Sequence, residues 1–284
     1  MSINLVYLYL LSPLHTGGTT QEGNLLGIAR ESHTGLPYIP SSTIRGRFRA
    51  SASGDTENEA EEEGAKKSQR FSLFGNEIAD GKQLEQGSIW IGDGSILWLP
   101  VPSLSHGVVW VNCPMLLRRW LRLSGGDTST APNPYDTSLK KNASVYLKDA
   151  IFPADKLNNR TNLNQFMTNH LESSGIENVL VLEDQHCATL IQMSLWRQVK
   201  IKLDEHKTVD GGFRYEEAIP PDTLMYFPWG VTSQANGSSQ TASTSFQSLL
   251  KKHSILQIGS QESLGRDFVQ LYNKGISENE EIKS

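Results

Sequence analysis

The run at residues 3–11, INLVYLYLL, constrains the fold more than any other stretch of the chain. Its β-branched, aromatic and leucine residues fit a pleated surface and it carries no charge, so it predicts a buried β-strand. It is far shorter than the roughly 20 residues a membrane-spanning helix needs, and no other apolar run approaches that length. No basic segment precedes it and no small-residue cleavage site follows it, which predicts a first strand rather than a signal peptide. Across 284 residues the hydrophobic fraction is 37%, enough for a core yet low enough to imply long polar loops. That length predicts about two domains, or one with large insertions.

The formal net charge of -5 argues weakly against a nucleic-acid partner. The acidic residues are not spread evenly, however. Residues 55–63 (DTENEAEEE) and 278–281 hold a good share of them, and their composition predicts disorder. The remaining body is close to neutral, with basic clusters at 45–49, 118–122 and 197–207 that allow a local basic groove. Cys113 and Cys187 lie in separate apolar contexts without metal-ligand spacing. They predict neither a disulfide framework nor a zinc site, and they suit a reducing cytoplasm.

Residues 33–49, HTGLPYIPSSTIRGRFR, pass from a turn into a predicted first helix that ends near residue 52. Ser41 or Ser42 suits its N-cap, because a serine oxygen accepts from unpaired N–H groups of the first turn. A helix N-terminus attracts anions, and Arg45, Arg47 and Arg49 just inside it can add bidentate contacts to phosphate. On charge alone, a solvated basic helix beside a turn fits equally. His15, in LHTGG, reads as a capping or packing residue or as an acid–base group.

Residues 71–75 predict a short helix or turn packing two phenylalanines. Residues 87–99 (GSIWIGDGSILWL) predict strands around a turn or bulge, and 106–111 a further strand. Cys113-Pro114 opens a predicted helix whose leucines and tryptophan recur at helical spacing, leaving Arg118, Arg119 and Arg122 as ordinary solvated charge. Residues 125–142 read as loop, 145–147 and 179–182 as short strands, and 163–171 as a helix. Residues 199–225 predict a long hairpin with a polar turn, both arms carrying side chains able to touch a polyanion. Residues 232–245, rich in Ser, Gly and Thr, predict a flexible link. A helix at 246–252 and a strand–loop–strand at 255–272 complete the chain. The loop from Gly259-Ser260 to Gly265-Arg266 lacks the lysine of a nucleotide-binding P-loop, which leaves a structural turn or a backbone phosphate contact.

Six blocks carry a resemblance: LSPLHTGG (11–18), RESHTGLPYIPSSTIRGRFR (30–49), GSIWIGDGSILWLPVPS (87–103), VNCPMLLRRW (111–120), GGFRYEEAIPPDTLM (211–225) and IGSQESLGRDF (258–268). In this order and spacing they resemble the RAMP-type backbone subunit of type III-B CRISPR–Cas effector complexes, the fourth subunit of the Cmr complex. The type III-A backbone subunit is a near relative, and His33 of HTG together with EEAIPPDTL tilts the choice to III-B. The resemblance implies an α+β fold: a single RAMP domain over 1–284 with an RRM-like (ferredoxin-like βαββαβ) palm. It implies large insertions at about 53–70, 125–175 and 230–246, and a protruding β-hairpin thumb within about 199–225. Several copies would stack along one guide RNA (crRNA) beside other type III-B effector subunits and hold complementary target RNA in cytoplasmic antiviral defence. In this family the thumb displaces one nucleotide of the guide–target duplex at intervals of about six. Such recognition reads backbone and shape, so the guide sequence varies freely. The RNA-binding positions implied are His15, His33, Ser41, Ser42, Arg45, Arg47, Arg49, Lys207, Thr208, Arg214, Gly259, Ser260, Gly265 and Arg266.

One departure matters. The family's target-RNA nuclease activity rests on an aspartate in the loop before HTG, in a run resembling IDLPIQREKHTG, and needs a divalent cation such as Mg or Mn. The run here is NLLGIARESHTG, and anchoring on Arg30, Glu31 and His33 puts Leu25 at the aspartate's place with Asn24 beside it. Leucine has no lone pair and an asparagine amide is a poor base, so neither replaces a carboxylate as ligand or proton acceptor. Glu22 is the nearest carboxylate, several residues out of register. The expectation is a crRNA-binding backbone subunit that holds target RNA without cleaving it, with no cofactor. The alternative is a metal-dependent endoribonuclease in which Glu22 or His15 contributes catalysis. A guide-processing ribonuclease with His15 as general base is a third reading, against which the thumb-like hairpin argues for assembly.

Overall fold

The computed structural model describes residues 3–17, 21–22, 25–52, 70–76, 86–139, 143–166, 175–233 and 239–273. The acidic runs at 55–63 and 278–281 and Asn24 lie outside the described residues, as does nearly all of the insertion expected at 53–70. In chain order the first strands are β1 (Asn4–Leu10), β2 (Gln21–Glu22) and β3 (Leu25–Leu26), followed by helix α1 (Ser41–Ser51). Next come β4 (Ile89–Ile91), β5 (Ser95–Ser103), β6 (Gly107–Asn112) and α2 (Pro114–Ser124). Short strands β7 (Asp136–Thr137), β8 (Val145–Leu147), β9 (Ala150–Phe152), β10 (Asn158–Asn159) and β11 (Val179–Val181) precede α3 (Asp184–Met193). The last part holds β12 (Trp196–Leu203), β13 (Val209–Ala218), β14 (Leu224–Val231), α4 (Ser239–Lys252), β15 (Ile255–Gln257) and β16 (Phe268–Asn273).

One large sheet runs β10-β7-β11-β6-β5-β14-β1-β16-β15. At its centre β5, β14, β1 and β16 pair antiparallel, and β4 extends the β5 edge along β14 after Gly92-Asp93-Gly94. Strand side chains alternate between faces. Val6, Leu8 and Leu10 of β1 enter one core, while Leu5 and Tyr7 enter another. Both faces of β1 are therefore covered, which is why its sequence has no polar alternates.

On the first face α1 and α4 bring Phe48 and Phe246 together, ring centroids 5.3 Å apart, against Phe227 and Trp229 of β14. Burying each such ring stabilises the fold by about 2–3 kcal/mol. On the second face α2 lays Leu117 and Trp120 over Tyr7, Trp98 and Tyr226, and Trp120 Nε1 donates to the Tyr7 hydroxyl at 3.1 Å. Pro114 opens α2 and Gly125, in the left-handed region at φ 76, closes it.

A second, four-stranded sheet has the order β12-β13-β3-β2. Its hairpin β12/β13 enters the body only at Glu216, Glu217 and Ala218, and residues 209–215 are exposed. The hairpin arms are Trp196–Leu203 and Val209–Ala218, so the expected span of 199–225 was shifted: Leu224 and Met225 begin β14 of the main sheet. Other differences have local causes. Ser239 onward is helical rather than a flexible link, because Ala242 and Phe246, four residues apart, both bury. In the described part of 163–171 the backbone forms a 3₁₀ segment, Thr161–Phe166, with a break at Asn162. Helix α3 was not anticipated. Near residue 74 only Phe74 buries fully, not both phenylalanines.

Candidate nucleic-acid interface at the hairpin root

Glu216 and Glu217 are adjacent on β13, each 1% exposed, and alternation sends their side chains to different partners. Glu217 takes Arg30 at 2.7 Å and Arg197 at 2.9 Å. Glu216 takes Lys200 at 2.8 Å, Arg266 at 2.9 Å and Arg214 at 3.1 Å. Burial pushes the Glu216 carboxyl up, but hydrogen bonds from Lys200 and Arg266 outweigh it and hold the group below the usual carboxylate range. Five cations thus converge on two carboxylates, leaving an excess of three positive charges at the hairpin root. The side chains of Arg197 and Arg214 are 56% and 61% exposed, so this charge reaches the surface.

Arg266 is the inward anchor of the group. Its guanidinium lies 4.7 Å over the Trp196 ring and also binds Gln198 and Gln261. It is 7% exposed, so its assignment as an RNA contact is corrected: it locks the glycine loop to the hairpin. That loop is organised by Asp267, whose two carboxylate oxygens accept from the backbone N–H of His15 and of Gln261, at 2.7 and 2.9 Å. A Cβ on Gly259 would collide with the Asp267 carboxylate, so the loop is a structural turn at this point. Ser260 and Gly265 remain on its exposed side.

His15 is 4% exposed and its Nδ1 is 2.8 Å from the Glu217 carbonyl oxygen. It is a packing residue, which corrects its placement as an RNA contact and as an acid–base candidate. His33 is the exposed histidine of the region, its side chain 69% accessible, with Nε2 at 3.4 Å from Arg119. Arg119 is not solvated charge as expected from the sequence. It pairs with Glu31 at 2.5 Å, and Thr34 donates to the same carboxylate at 2.6 Å. Burial pushes the Glu31 carboxyl up, yet Arg119 and Thr34 hold it below the usual range. The HTG turn is thereby fastened to α2.

Helix α1 also differs from expectation. Its N-cap is Pro40, neither Ser41 nor Ser42 caps it through a side chain, and Ser41 N–H donates to Asp93 Oδ1 at 2.7 Å. A resident carboxylate therefore occupies the N-terminal end expected to attract RNA phosphate. Arg45 donates to the carbonyl oxygens of Phe74 and Ile89 at 2.7 and 3.2 Å and lies over the Phe74 ring. Burial, then the neighbouring Arg49, lowers its pKa. Arg47 and Arg49 are half-buried on the same helix. At the far end of the hairpin, Lys207 and Thr208 sit in an exposed turn held by Asp204, which accepts from Thr208 N–H at 2.8 Å.

Leu25 pairs in register with Tyr215 of the hairpin and with Glu22 of β2. Glu22 therefore already stands opposite Leu25, without the loop shift that the sequence suggested. Among the described residues no group of three or more His, Cys, Asp or Glu side chains is placed to hold a metal ion. Sequence reasoning missed Arg30, Arg197 and Lys200 as members of the basic root. The signal available was the glutamate pair in EEAIPPDTL, which requires cationic partners if it is buried.

Comparisons with known proteins agree with the resemblance carried by the six sequence blocks. The RAMP superfamily matches residues 7–266. The chain is 28% identical to the CRISPR system Cmr endoribonuclease Cmr4 of Pyrococcus furiosus, over 98% of each chain. It resembles the crystal structure of oligomeric Cmr4 from Pyrococcus furiosus with a TM-score of 0.69 at 23% identity, covering 98% of this chain and 99% of that one. It resembles a chain of the type III-B Cmr-beta structure bound to cognate target RNA with a TM-score of 0.74 at 20% identity, covering 96% and 97%. The chain belongs to the RAMP superfamily.

Proposed function

We propose that the chain is the crRNA-binding backbone subunit of a type III-B CRISPR effector complex. It polymerises along one guide and holds complementary target RNA without cutting it. The observation that carries this reading is the basic root of a projecting hairpin, fixed by two buried glutamates, in a RAMP-superfamily chain. The order β16-β1-β14-β5, with α1 and α4 as crossovers, supports an RRM-like palm, and β12/β13 fits its thumb. In an RRM, aromatics on the central strands stack bases. Here the corresponding face is closed by α2, with Tyr7 and Tyr226 each 1% exposed. That leaves the hairpin and the loops at its root as the RNA surface. The oligomeric state of one relative and the target RNA in the structure of another support self-copies and RNA as partners.

The family's divalent cation does not fit the position of Leu25, which offers no donor. A nuclease reading keeps one favourable observation, the register of Glu22 opposite Leu25. The two separate when the assembled complex is incubated with labelled complementary RNA and magnesium or manganese. The scaffold reading expects intact RNA. A ladder of regular spacing that Glu22→Gln abolishes would replace it with the nuclease reading.

A further inference from the structure

The polar face of the hairpin holds a cleft of about 540 Å³ lined by Lys200, Lys202, Arg214, Asp210 and the backbone of Gly211 and Gly212. Lys200 and Arg214 are register partners across the ladder. Like charges placed directly opposite one another are destabilising in a sheet. Their shared counter-ion, Glu216, lies at the inner end of the ribbon and also serves Arg266. Lys202 adds a third cation where the register shifts between Ile201 and Leu203, and Asp210 balances it at 2.6 Å. Gly211 and Gly212, at φ 79 and 91, keep one wall free of side chains, since a Cβ at either would meet nothing within 4 Å. The cleft is thus an open, positively biased slot with bare backbone on one side and charge-assisted donors on the other.

We infer that this cleft seats phosphodiester groups of the single RNA strand that the chain binds first, with Lys200, Lys202 and Arg214 as the contacts. The inference rests on the RNA-binding reading and names a place for it. Apolar residues Val199, Ile201, Phe213 and Tyr215 occupy the alternate positions of the same ribbon, so the cationic set is confined to one face.

The test measures the affinity of the full chain for a fluorescent single-stranded RNA of mixed sequence between about 50 and about 200 mM KCl. Each phosphate contact on a single strand contributes roughly 0.7 to the slope of log affinity against log salt, so replacing all three cations by Gln should lower the slope by about two. The control Arg118→Gln/Arg122→Gln, on exposed arginines of α2, should leave it unchanged. If the triple variant fails to fold, Lys202→Glu alone, at a side chain 78% exposed, must still lower the slope. A wild-type slope in the folded variants, or a deficit that emerges only after a complementary strand is added, overturns the inference. A wild-type chain without salt-dependent RNA binding would instead overturn the RNA-binding reading itself.

Discussion

The buried Asp267 carboxylate joins two segments 252 positions apart, His15 and the glycine loop. Burial pushes its pKa up, against the two backbone N–H donors that favour the charged form. Asp267→Ala would leave both donors unpaired, at about 1–3 kcal/mol each, so urea unfolding should show a loss of roughly 2–4 kcal/mol. Glu216 gives the opposite pH signature. Its folded-state pKa lies below the unfolded value, so its stabilisation is complete above the unfolded pKa and is lost as pH falls through the folded one. Glu216→Gln should therefore flatten the acid limb of the stability–pH curve. An acid limb unchanged from wild type would mean that the ion pairs at the root contribute nothing. Neither role was legible in the sequence. The glutamate pair was visible as a motif, but Arg30 is 187 positions from Glu217 and Arg266 is 50 from Glu216. Sequence spacing says nothing about which distant cations arrive.

Elements with strong local signals were legible within a residue or two. The run INLVYLYLL became β1, Pro114 and Gly125 bracket α2, and the glycines at 92 and 94 separate β4 from β5. Helix α1 was found but its cap was misassigned, because Asp93 arrives from a loop 52 positions away. Asp93→Ala should cost about 1 kcal/mol, read as a lowered Tm, while Ser42→Ala should change little. Helices α3 and the first half of α4 were hidden by polar composition, since tertiary burial of Cys187, Leu190, Ala242 and Phe246 decides them rather than propensity. The hairpin is held at its root by Arg266, its stacking on Trp196 and its pairing with Glu216. Arg266→Ala should accelerate amide hydrogen exchange across residues 209–215 while leaving β1 protected, and equal protection in both would show that the hairpin is anchored elsewhere.

At the scale of the whole molecule, the α+β architecture was legible because the motif blocks mark its central strands and loops. The layout of the RNA surface was not. The sequence directed attention to α1, whose arginines and N-terminus prove to be committed to carbonyls and to Asp93. The structure moves the free positive charge to the hairpin, and closure of the second sheet face by α2 leaves few other surfaces for a long polyanion. A subunit that binds backbone rather than sequence and repeats along one strand must add mass in whole copies. The central claim is tested most directly by mass photometry of the chain with single-stranded RNAs of increasing length. The account predicts complexes whose mass rises in steps of one 31.5 kDa chain as the RNA lengthens. One copy per RNA at every length, or no complex at all, would contradict it.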